Sequence, residues 1–141
     1  MTETLTLTPQ LVDDMVTHLE AERPNEGCGI LAARDGVLVR VVPMVNAARS
    51  PILYSLDPKE QLAVYRKLDE EGLDLGGIFH SHTHTDAFPS ATDVRLASED
   101  VPLVIVSLAS RPPSIRAFRV VKDFWYEPKG EIEEIPVAVT A

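Results

Sequence analysis

One cysteine in 141 residues, Cys28, leaves no partner for an internal disulfide. A disulfide-stapled fold is therefore excluded, and a reducing compartment fits best. No apolar run approaches the ~20 residues that a membrane span needs, and Met1 to Leu19 carries no basic, apolar, small-residue leader. The expectation is a soluble, cytoplasmic chain. Basic residues are scarce as well. Thirteen Lys and Arg against 22 Asp and Glu give a net charge of −9, and without a basic run such a chain is a poor match to phosphate backbones. One modest cluster, Arg111, Arg116, Arg119 and Lys122, reads as a solvated strand face or as a docking patch for an acidic partner.

What is present is ordinary globular material. A hydrophobic share of 45% and a charged share of 25% suffice for a core in one domain over residues 1–141. Thr8-Pro9 opens a helix, with Thr8 as N-cap and Pro9 at the first helical position, and Leu11, Met15 and Leu19 form its apolar stripe. Arg23-Pro24-Asn25 ends it. Gly29 to Ala33 and Val37 to Val42 read as strands joined by a hairpin at Asp35-Gly36. Val45 to Ser55 has no period and contains Pro51, so it reads as a loop of functional length.

Asp57-Pro58-Lys59-Glu60 starts a second helix, which runs to about Glu71 and stops at Gly72. Gly76 to His82 reads as a buried strand and Ser90 to Glu99 as a third helix. Pro102 to Ala109 is nearly unbroken apolar sequence, as a strand covered on both faces requires. Ile115 to Val121, Phe124-Trp125-Tyr126 and Glu131 to Val139 complete the strands, the last at an edge. The order of elements predicts an α+β domain with helices packed on a mixed sheet.

Three of the four histidines fall at positions 80, 82 and 84. Residues two apart on a strand share a face, with roots about 6.5–7 Å apart, so His80 and His82 can converge on one ion. A catalytic zinc commonly takes three protein ligands and keeps a fourth position open. Asp93 is the candidate third ligand, and Ser90 precedes it by three residues. Ser90-x-x-Asp93 also reads as a plain capping box that needs no metal. A buried apolar strand ending in two imidazoles is nevertheless a costly place for unsatisfied rings, and a metal would satisfy them.

His80-Ser81-His82, seven residues, then Ser90-Ala91-Thr92-Asp93 resembles the signature of the JAMM (MPN+) metallopeptidases. The stretch Pro24-Asn25-Glu26-Gly27-Cys28-Gly29-Ile30-Leu31 and the run Tyr54-Ser55-Leu56-Asp57-Pro58 resemble the same family, so that the likeness spans Leu5 to about Val121. The resemblance implies a three-layer, cytidine-deaminase-like fold with a curved mixed sheet. It implies one zinc ion on His80, His82 and Asp93, with Glu26 as general base and acid and Ser90 steadying the oxyanion. Thr83 stands where many members have Pro. His-Ser-His-Thr instead is similar to the short prokaryotic Mec-type branch, which processes ubiquitin-like sulfur carriers.

For that branch the resemblance implies hydrolysis after a C-terminal Gly-Gly, releasing cysteine. A deubiquitinase-like action on lysine conjugates and a non-catalytic scaffold are the alternatives, and a homodimer stays open. An extended tail could pair with an exposed strand edge, with Val45 to Ser55 shaping the groove. His84 reads as a loop residue and Cys28 as a small core residue. Two other classes use His-x-His. Metal-dependent amidohydrolase barrels need about 250 residues, and cupins, which His80-x-His82-x-x-x-Asp86 imitates, need a downstream histidine that is absent after His84.

Overall fold

The computed structural model describes residues 3–140. The elements follow in the order β1 (Leu5–Leu7), α1 (Pro9–Ala21), β2 (Cys28–Arg34), β3 (Val37–Met44), α2 (Pro58–Glu70), β4 (Asp74–His82), α3 (Ala91–Leu96), β5 (Leu103–Ser107), β6 (Ser114–Val121), β7 (Glu131–Ile135) and β8 (Val137–Val139). Six strands form one sheet in the order β3-β2-β4-β5-β6-β7, and β1 pairs with β8 in a two-stranded parallel sheet. Only β4 and β5 run parallel within the larger sheet, because α3 carries the chain between them. The architecture is α+β.

Local signals start and stop these elements. The Thr8 hydroxyl accepts from Leu11 N–H and Asp57 accepts from Lys59 N–H, each just ahead of a proline at the first turn. Asp35 and Gly36 take φ values of 51° and 80°, the two-residue hairpin turn that suits the twist of β2 and β3. Gly72, at φ 71°, ends α2 in the left-handed region that glycine enters at little cost.

Alternation on the strands sorts side chains to two faces. Leu31, Phe79, Val104, Val106 and Ala117 pack against Leu11, Met15 and Leu19 of α1. On the opposite face Cys28, Ile30 and Met44 pack against Leu68 of α2, while Leu103, Ile105 and Phe118 meet Ala87 from the loop ahead of α3. The result is three layers, and the second face also carries His80 and His82.

Two expectations fail. Phe124 to Tyr126 form no strand: β6 and β7 pair directly from Val121↔Glu131 onward, so the residues between them must turn, and all three rings stay exposed. Pairing overrides β-propensity there. The third helix ends at Leu96, short of Glu99, where the Lys122 ammonium binds the carbonyls of Arg95 and Ala97 and so closes the helix end. Strand β1 was not expected from the sequence, since three residues hold too little pattern.

The crossing of β2 and β4 is tight. A Cβ on Gly29 would press into the Phe79 ring and lie 2.6 Å from the Val42 carbonyl. Gly29→Ala is therefore expected to cost about 1–3 kcal/mol through overpacking, measured as a lowered denaturation midpoint with unchanged slope.

Candidate metal centre

Strand β4 is buried from Gly77 to its end, and its last three residues are His80, Ser81 and His82. The two imidazoles point to one face with their Nε2 atoms 3.2 Å apart. After a loop, α3 begins and brings in Asp93. Its Oδ2 lies 3.0 Å from His82 Nε2 and 3.2 Å from His80 Nε2, with all three side chains at most 3% exposed. The expected trio is assembled.

The two sequence readings of Ser90-x-x-Asp93 are both true. Ser90 Oγ accepts from Asp93 N–H at 3.0 Å, and Asp93 Oδ2 accepts from Ser90 N–H at 3.0 Å, a full capping box. The cap fixes Asp93 so that the same oxygen faces the histidines. Because Ser90 Oγ acts as an acceptor in the cap, its own proton remains free to be donated.

Glu26 reaches the site through strand register. Cys28 pairs with His80, Gly27 N–H donates to Ser81 Oγ at 2.9 Å, and Ser81 N–H donates to the Gly27 carbonyl at 3.0 Å. One residue further on, Glu26 stands beside the histidine pair. Its backbone is tied on both sides: N–H donates to the Ser50 carbonyl at 2.9 Å, and its carbonyl accepts from Asn46 Nδ2 at 2.9 Å. Its carboxyl oxygen Oε1 is buried without a hydrogen-bond partner.

Charges follow from this burial. Desolvation pushes the Glu26 carboxyl up to about 7, against the pull of His82 and with the repulsion of Asp93. Burial would also raise Asp93, but hydrogen bonds from His80 and His82 outweigh it and hold that carboxyl far below the usual range. Burial lowers His80. It would lower His82 too, but the bonds to Asp93 and the Asp86 carbonyl leave that ring raised.

The donor set fits a divalent metal ion. His82 Nδ1 donates to the Asp86 carbonyl at 2.7 Å, so the neutral ring directs an unprotonated Nε2 at the site. Tetrahedral donors about 2.1 Å from zinc sit about 3.4 Å from one another, close to the 3.0 and 3.2 Å separations found here. His80, His82 and Asp93 form the metal-compatible group found among the described residues.

Other expectations resolve plainly. Asp86 contributes its backbone carbonyl to His82, so the cupin-like reading of its side chain has no support. Arg116 pairs with Glu134, Arg119 with Glu3 and Asp100, and Lys122 with two carbonyls, so three of the four basic residues of that cluster are engaged within the fold, while Arg111 is exposed. His84 is exposed and bonded to Thr83. Cys28 is buried, its thiol pushed up to about 12, mainly by desolvation, which leaves it an inert core residue.

Sequence reasoning missed two supports. Tyr54 stacks on His80, with ring centroids 4.2 Å apart and planes at 24°. Asn46 is buried and ties the following loop together: Nδ2 binds the carbonyls of Glu26 and Leu53, and Oδ1 accepts from Ala48 and Ser55. An asparagine opening a loop without period is the one available signal, because such side chains bind nearby backbone.

Below pH 4.5 the Glu26 carboxyl is protonated whether the chain is folded or not; between 4.5 and about 7 the unfolded chain releases its proton first. Metal-free protein therefore loses stability as pH rises through that window. Glu26→Gln is expected to be more stable than the parent at pH 8, by about 1–3 kcal/mol, and to show little difference at pH 4. Denaturant titrations of both metal-free proteins at the two pH values check this.

Comparisons with known proteins agree with the geometry. The family model for prokaryotic homologs of the JAB domain matches residues 8–121. The chain is 41% identical over 141 residues to the CysO-cysteine peptidase of Mycobacterium tuberculosis, covering 96% of this chain and 90% of that one. It is 41% identical over 96 residues to a probable TtuB-protein conjugate cleaving protease of Thermus thermophilus, covering 67% and 64%. A solution structure from Desulfitobacterium hafniense superposes with a TM-score of 0.85 at 36% identity, covering 97% and 93%. A JAB1/MPN domain protein from Archaeoglobus fulgidus shares the fold at a TM-score of 0.59 and 16% identity, covering 98% and 100%. The chain belongs to the prokaryotic branch of the JAB (JAMM/MPN) family, the metal-dependent peptidases.

Proposed function

We propose that this protein is a zinc peptidase that hydrolyses the bond after the C-terminal Gly-Gly of a ubiquitin-like sulfur carrier and releases cysteine. The observation that carries the reading is the meeting of His80, His82 and Asp93 in one buried triangle beside an unpartnered Glu26 carboxyl. The relatives support the substrate class, being named for a CysO-cysteine bond and for TtuB-protein conjugates.

His80, His82 and Asp93 would hold the ion. Zinc in such a site supplies a Lewis acid and makes hydroxide available near neutral pH. Glu26 takes the proton of the attacking water as its oxygen bonds to the scissile carbonyl carbon. It then gives that proton to the amide nitrogen as the C–N bond breaks. The carrier leaves as a carboxylate and the amino acid as an amine. The Glu26 carboxyl, desolvated and without a fixed hydrogen-bond donor on Oε1, is free to serve both halves of that transfer. Ser90, whose hydroxyl proton the cap does not use, donates to the oxygen that gains charge.

Incubation of the zinc-loaded protein with a carrier–cysteine adduct, followed by mass spectrometry, tests the reading. Carrier and free cysteine are the expected products. An intact adduct alongside a cleaved lysine-linked conjugate would replace it with a deubiquitinase-like activity; the Thermus relative is named for cleaving TtuB-protein conjugates. Glu26→Gln is expected to keep one metal per chain and lose about 10²–10⁴-fold in turnover, whereas His82→Ala and Asp93→Ala lose the metal by elemental analysis. A metal-free parent under zinc-replete purification would favour a scaffold.

A further inference from the structure

We propose that Ser107 is a positioning residue for the metal centre, its hydroxyl anchoring the loop whose backbone orients His82. The role rests on the zinc-binding part of the reading above and is independent of the substrate.

Ser107 is out of place in its own strand. It interrupts the apolar run Pro102 to Ala109 and lies 2% exposed at the end of β5, where a hydroxyl is costly unless it is bonded. Register sets it beside the site. His82 pairs with Ser107 across the parallel β4–β5 ladder, and paired residues on neighbouring strands share a face. The end of β5 is itself held. Leu108 N–H donates to the His82 carbonyl at 2.9 Å, and the Leu108 carbonyl accepts from the Arg23 guanidinium at 2.8 Å.

The hydroxyl has a defined task. Ala109 N–H donates to Ser107 Oγ at 3.3 Å, and Ser107 Oγ donates to the Thr85 carbonyl at 2.6 Å. The next carbonyl along, that of Asp86, accepts from His82 Nδ1 at 2.7 Å. Two successive peptide units of the loop are thus tied to two paired residues of the sheet. Because the Thr85 carbonyl and the Asp86 nitrogen share one planar peptide, only the two dihedrals of Asp86 separate the anchored group from the carbonyl that receives His82.

Other ties on this loop act differently. Phe88 N–H donates to the same Asp86 carbonyl at 2.8 Å, a bond within the loop. Ala87 packs with Leu103, Ile105 and Phe118, a contact without direction. Ser107 adds a directional bond from the sheet. An imidazole that donates Nδ1–H to a fixed carbonyl presents Nε2 to a metal in one orientation, and loss of such outer partners weakens metal binding by about 10–100-fold. Ser107 acts one bond further out, so the lower end applies.

Zinc competition against a chelating dye tests the role. Ser107→Ala is expected to bind zinc about tenfold more weakly than the parent. In the zinc-loaded proteins the His82 Nδ1 proton, followed by NMR, should exchange with water about fivefold or more faster in Ser107→Ala. Val104→Ala, on the opposite face of the same strand, destabilises the fold through a core void and should leave both readings within about twofold of the parent. Ser107→Thr keeps the hydroxyl and should stay within about threefold. A Ser107→Ala protein that matches the parent in affinity or in exchange overturns the role of Ser107. So does an equal loss in Val104→Ala, or a Ser107→Thr protein no better than Ser107→Ala; in each case the metal reading stands. A parent that binds no zinc overturns both.

Discussion

Three polar contacts converge on one buried carboxylate oxygen, Asp93 Oδ2, from His82, His80 and the Ser90 backbone. An ionised carboxylate so enclosed is stable only with strong compensation. In the absence of a cation the compensation is protonic, which is why Asp93 is held ionised and His82 is raised. His82 Nδ1 already donates to Asp86, so any proton on its Nε2 makes the ring an imidazolium. Metal and proton therefore compete for one place, and affinity for the ion rises as the proton is given up.

The fold produces this place with little machinery. The β4–α3–β5 connection is a parallel crossover, and sites in such units lie beyond the carboxyl ends of the strands, where the next helix begins. Here the strand end supplies two ligands and the helix start supplies the third. The capping box that starts α3 is also what points Asp93 at the rings, so folding of the helix and formation of the site are one event. Antiparallel pairing of β2 with β4 does the remaining positioning, since register alone sets Glu26 next to His82.

Much of this was legible because the signals were local. Thr8-Pro9, Asp35-Gly36, Asp57-Pro58 and Gly72 each fix a turn or cap through their own backbone preferences. His80 and His82 share a face by strand period alone. Asp93 and Glu26 were not local: a cap accounted for Asp93 by itself, and Glu26 was singled out only by the family resemblance. What escaped was tertiary. The stacking of Tyr54 on His80 and the closing of α3 by Lys122 depend on residues more than twenty positions apart. The Phe124-Trp125-Tyr126 triplet misled because its residues favour strands, while the strands to either side had already found each other.

Glu26 shows how rigidity and reactivity are separated at one residue. Its backbone N–H and carbonyl are both bound to the loop that Asn46 organises, so its Cα cannot drift. Its Oε1 has no partner, although burying such an oxygen unsatisfied is costly. The cost falls on the side chain alone, and burial answers it by raising the carboxyl toward its neutral form. A carboxyl bonded to a fixed donor would be held as an anion and would part with a proton too readily. One left unbonded in a dry, anchored position is not committed to the anion by any fixed donor.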